Sequence, residues 1–146
     1  MKDAEFRAEL KSAKLTFREV EGNPIRRVEF SLCCEFTVEA AEWLGAVALN
    51  QRDLMVNGDV EKFTADISAY HAKASLSGTG GNVELEPDGI LASATTKAGK
   101  GEDGEPTYWV TFTFEAYPHA SLLTFLAACL KEYIDCDFKR VQLECA

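Results

Sequence analysis

Histidine is scarce in this chain and long apolar runs are absent, and each shortage removes a class of function. Among 146 residues only His71 and His119 are histidines, and neither lies in a zinc-ligand pattern. The longest mostly apolar run, Ala120 to Leu130, is interrupted by Ser121 and Thr124. It falls well short of the ~20 residues that a membrane helix needs. Met1 is followed by Lys2, Asp3 and Glu5 with no apolar stretch, so no export signal is expected. A soluble, cytoplasmic protein is the corresponding expectation.

Catalytic and cofactor signatures are missing as well. No CxxC, HExxH or GxSxG occurs, and the five cysteines (Cys33, Cys34, Cys129, Cys136, Cys145) show no disulfide-scaffold spacing. Reduced thiols are expected, with Cys33 and Cys34 on opposite faces of a strand. A cysteine–histidine enzyme would need His71 or His119 beside a nucleophile, and no motif supports one. Gly78-Thr79-Gly80-Gly81 lacks the dinucleotide fingerprint. In the 98–101 stretch Lys100 is followed by Gly101 and acids rather than by Ser or Thr and a helix. The acids at Glu84, Glu86 and Asp88, and at Glu102, Asp103 and Glu105, do not follow a calcium-loop pattern. No cofactor and no metal is expected, and the chain reads as acting by binding rather than by catalysis.

What is present is an ordinary globular composition, 47% hydrophobic, on a chain long enough for one domain over residues 1–146. The net charge is −9, which repels a nucleic-acid backbone and disfavours general nucleic-acid binding. The acid excess is uneven: ten acids against five bases from Gln51 to Pro106, nine against seven from Met1 to Asn50.

Hydrophobic periodicity then divides the chain. Phe6 and Leu10, at i,i+4, suggest a short helix over residues 1–12. Leu15 and Phe17 alternate with polar residues, Gly22-Asn23-Pro24 supplies a turn, and Arg26–Phe36 has clean period-two alternation, so a β-hairpin is predicted. Thr37 caps a predicted helix through Leu49. Val38, Ala41, Leu44, Gly45 and Ala48 line one side of it, with Trp43 and Val47 on the other. Residues 59–76 fit either helical spacing (Val60, Phe63, Ile67, Tyr70, Ala74) or strand alternation, and helix is favoured. Asn82–Thr96 reads as a second hairpin about Pro87-Asp88-Gly89, and Lys97–Pro106 as a surface loop.

The last third is the clearest unit. Thr107–Ala116 alternates, Pro118 opens a helix bearing Leu122, Leu126, Cys129, Leu130 and Tyr133, and Phe138–Leu143 closes as a strand. Val28–Leu49 and Val110–Leu130 both run from strand into helix, an echo consistent with a β-β-α pseudo-duplication. The expected fold class is α+β, a largely antiparallel sheet with two or three helices mainly on one face.

If the apolar stripes pack under helices, the opposite sheet face carries Arg27, Glu29, Ser31 and Cys33, together with Trp109, Thr111, Thr113 and Glu115. A large aromatic among small polar groups makes a natural contact anchor. The favoured expectation nevertheless covers Trp109 with the N-terminal segment or residues 50–81, and covers Trp43 with a loop. Both tryptophans are candidate interface residues. The expected function is that of a small acidic binding protein, an inhibitor capping a basic site on a protein partner, of toxin-neutralising or viral anti-defence type. The alternatives are a homo-oligomeric structural component, as in a phage particle, and a small-molecule binder or hydrolase.

Overall fold

A computed structural model describes residues 3–59, 62–66, 72–85, 91–100 and 106–140. Its strands are β1 (Ala4–Val20), β2 (Asn23–Glu35), β3 (Lys62–Asp66), β4 (Ala72–Gly78), β5 (Gly81–Leu85), β6 (Leu91–Lys100), β7 (Pro106–Ala116) and β8 (Tyr133–Arg140). The helices are α1 (Val38–Leu44), α2 (Ala46–Val56) and α3 (Ala120–Cys129). The strands form one eight-stranded sheet in the order β3-β6-β7-β2-β1-β8-β4-β5. Every described pairing in it is antiparallel. The expected α+β class is what the structure shows.

Alternation explains the faces. Phe30 and Leu32 of β2, Phe112 and Phe114 of β7, and Ile134 and Phe138 of β8 are buried on one side. The same cluster takes in Ala40 and Ala41 of α1, Met55 of α2, and Leu122, Phe125 and Leu126 of α3. All three helices therefore cover the apolar face. Burying each large side chain contributes roughly 1.5–3 kcal/mol, so this single layer of phenylalanines and leucines dominates the stability.

The sheet is strongly curved. β2 and β1 stand between β7 and β8, and three strand spacings in a flat sheet would separate their side chains by about 14 Å. Yet the rings of Phe114 and Phe138 lie 5.2 Å apart, and Phe6 touches both Phe112 (5.4 Å) and Phe138 (5.5 Å). The apolar face is thus concave and closes on itself. β1 makes the bend: residues 4–9 pair with β8 and residues 9–20 with β2, with a register shift between Leu10 and Ser12. A bulge there adds one residue and increases the local twist.

Several sequence expectations need correction. Residues 4–12 are strand, not helix. Ala4, Phe6, Ala8 and Leu10 alternate just as regularly as they fit i,i+4, and pairing with β8 decides the matter. The β1–β2 turn is Glu21-Gly22, both at positive φ, while Asn23 and Pro24 belong to β2. Such a turn matches the twist of a two-residue hairpin. The helix after Thr37 is two helices. Thr37 does cap the first, its hydroxyl accepting from the Ala40 N–H at 3.1 Å. Gly45, at φ 111°, then breaks the axis.

The helix favoured over 59–76 is absent: β3 and β4 occupy 62–66 and 72–78, and the residues between them lie outside the described set. The 82–96 hairpin is also overturned. β5 pairs with β4 and β6 with β7, at opposite ends of the sheet. A turn-like Pro-Asp-Gly cannot specify a partner, and those residues too are outside the described set. Lys97–Lys100 belong to β6 and Pro106 to β7, not to the expected loop, and 101–105 lie outside the described residues. The final helix starts at Ala120 and ends at Cys129, which places Tyr133 in β8, five residues before the strand start expected at Phe138.

Candidate functional site

On the convex face, β2 and β7 run side by side and their registers bring the candidate residues together. Arg27, Glu29, Ser31 and Cys33 alternate outward from β2, and Trp109, Thr111, Thr113 and Glu115 from β7. The register sets Cys33 opposite Thr111, Ser31 opposite Thr113 and Glu29 opposite Glu115. The Ser31 and Thr113 hydroxyls are 3.3 Å apart, a cross-strand pair of the kind that adds ~0.2–1 kcal/mol.

Glu29 and Glu115 face one another as like charges, which alone would be destabilising. Cations from the β1–β2 hairpin answer this. Arg27 Nε reaches Glu115 Oε1 at 3.2 Å and Arg18 Nε reaches the same oxygen at 3.1 Å. A second Arg27 nitrogen donates to the Glu115 carbonyl at 3.2 Å, and Lys14 Nζ lies 3.5 Å from Glu29. Arg27 is therefore fixed rather than available, while Arg18 and Lys14 are largely exposed and add little to stability.

Trp109 ends this strip. It is 43% exposed, so the expected cover is not there among the described residues. Its indole N–H donates to Thr107 Oγ1 at 3.2 Å, which holds the ring at the surface. Trp43 separates from the group. It stacks on Phe6 at 4.9 Å beneath the concave face and is partly buried against the core. The break at Gly45 re-aims α2, so Trp43 of one expected apolar side and Ala41 and Ala48 of the other pack inward, while Val38 and Val47 stay exposed.

Further round the convex face, β1, β8 and β4 form a shallow depression of about 490 Å³ edged by Glu5, Asp135, Asp137, Ser75 and Ser77. Glu5 pairs directly with Asp137 in the register, and Arg7 lies 3.6 Å from Asp135. This local acid excess was not visible in the sequence, because its residues come from opposite ends of the chain. Among the described residues no group of His, Cys, Asp and Glu has metal-binding geometry.

The groups considered for catalysis do not converge. His119 occupies the N-cap of α3 without a side-chain capping bond and rests against Tyr117, ring to ring at 4.7 Å. His71 lies outside the described residues. Cys33 faces the convex side and Cys34 the core. Burial pushes the Cys34 thiol up to about 12, with help from Cys33 and Glu35, and burial also raises Cys136. Both are held as neutral thiols. The Gly78–Gly81 turn joins β4 to β5. A Cβ at Gly80 would sit 2.7 Å from the Ala128 Cβ, so the turn serves close packing against α3. No helix among the described residues is long and apolar enough to cross a membrane.

Compared with family models, with curated proteins and with solved structures, the chain has no significant match.

Proposed function

We propose that the chain works by binding a protein partner on the convex face of its sheet, with Trp109 as the apolar anchor. The carrying observation is a tryptophan 43% exposed beside a strip of small polar side chains, Thr111, Thr113, Ser31 and Cys33. Aromatic anchors among adaptable hydroxyls dominate many interfaces, since they bury large area at small entropic cost. The acidic depression at Glu5, Asp135 and Asp137 lies on the same face and supports a partner with a basic surface. Capping such a surface is how an inhibitor of the expected type would act, in which charge sets encounter rate and partner choice while Trp109 supplies affinity.

The test compares native chain with Trp109→Ala in partner capture from the source cells, followed by affinity measurement on the captured protein. Binding should weaken at least about tenfold, as hot-spot truncations do. Circular dichroism and melting temperature should stay within a few degrees of native. Affinity should also fall with added salt. A folded Trp109→Ala chain that binds undiminished defeats the proposal. Loss of folding would assign Trp109 to the core instead.

A further inference from the structure

The tip of the β1–β2 hairpin projects past the rest of the sheet. β8 and its lead-in end their pairing with β1 at Leu10, and β7 pairs with β2 only from Val28 onward. Beyond those points neither outer edge of the hairpin is paired by another strand among the described residues. Leu15 (61% exposed) and Phe17 (69%) lie on its apolar face, with Val20 and Ile25 exposed on the other. Exposed apolar side chains on an unpaired strand edge are a template for further pairing.

Beside the base of this arm, α3 leaves an apolar groove of about 260 Å³, lined among others by Ala13, Leu15, Leu123, Leu126, Ala127 and Leu130. We propose that two copies of the chain associate by antiparallel pairing of their β1 edges about a two-fold axis at Leu15. Each copy then places its Phe17 in the other's groove.

Register supports this arrangement over its neighbours. In antiparallel self-pairing the faces match only when the axis passes through a residue, because side chains alternate. An axis at Leu15 sets Leu15 against its own copy, Ala13 against Phe17, Lys14 against Thr16 and Ser12 against Arg18. The smallest residue of the stripe thus meets the largest, directly over the groove, and no like charges oppose. An axis at Thr16 would set Lys14 against Arg18, and one at Lys14 would set that lysine against itself, both unfavourable. The favoured register also sets the partner copy's Lys14 opposite Thr16, whose hydroxyl is buried without a hydrogen-bond partner among the described residues and could accept from the ammonium. The contact is isologous and closes as a dimer. It joins the two convex faces into one surface and does not depend on what that face binds.

Sedimentation across a concentration series should show a dimer. Phe17→Asp should yield monomer with unchanged circular dichroism, since the side chain is largely exposed in the single chain. Leu15→Cys should form an intermolecular disulfide under mild oxidation, because paired residues on the axis approach within bridging distance. Val20→Cys, far from its own copy in this register, should not, with the parent chain's cysteines setting the background in both cases. A native chain that stays monomeric overturns the proposal. So does a Phe17→Asp dimer, or cross-linking at 20 rather than 15.

Discussion

The two halves of β1 have the same alternation and opposite fates. In the first half Phe6 touches Trp43, Phe112 and Phe138, and Leu10 is fully buried. In the second half Leu15 and Phe17 hold the same face of the same strand and stand largely exposed. The chain direction and the two-residue period do not change across the bulge at Lys11, which only moves the inward positions from even to odd numbers. The neighbours do change: residues 4–9 pair with β8 over the concave core, whereas residues 12–20 pair, among the described residues, with β2 alone and meet α3 only at their base. Burial along a strand follows from what is paired beside it and packed above it, and period two only says which residues are available to be buried.

The largest test of this contrast exchanges like for like. Leu10→Ala should cost about 2–5 kcal/mol, since it leaves a cavity in a closed core. Leu15→Ala, measured at dilute concentration, should stay within ~0.5 kcal/mol. Denaturant midpoints of the two variants read the difference directly, and equal losses would mean that the arm is packed as firmly as the base.

A smaller effect is expected where α3 buttresses the sheet. Gly80→Ala puts a methyl against Ala128, so helix or turn must shift, at about 1–3 kcal/mol. A neutral outcome by thermal melting would show that α3 is not held by this contact.

The smallest effect concerns the two faces of β2. The Cys34 thiol is raised from an ordinary value near 9 to about 12. Unfolding would free it to ionise at the lower value, so its contribution is intact below pH 9 and is lost as pH rises towards 12. Stability should therefore decline across that window, and Cys34→Ala should flatten the decline. At pH 8 an alkylating reagent should label Cys34 only after unfolding. A slope unchanged by the substitution would assign the decline to other groups.

Much of the convex site could be read in advance. Arg27, Glu29, Trp109, Thr111 and Thr113 were placed on one face by alternation, and the β2–β7 register brings them together. The cover expected over Trp43 was a loop, and its real partner, Phe6, is not legible locally, because it depends on the break at Gly45 and on a strand that also fits helical spacing. The acidic depression was hidden for a related reason: Glu5 and Asp137 meet only through the β1–β8 pairing. Nor did the local pattern disclose that the β1–β2 arm outruns its neighbours.

The sequence by itself determined the strand faces of β2 and β7, the Thr37 cap and the strand-into-helix passage at each end of the chain. These are properties of a few consecutive residues, set by side-chain alternation and by the hydrogen-bonding needs of a helix end. Tertiary structure decided that β5 and β6 part company, that 62–66 and 72–78 are strands, and that one half of β1 is core while the other projects. Those outcomes depend on contacts between residues far apart in the chain, such as Phe114 with Phe138. No local window contains them.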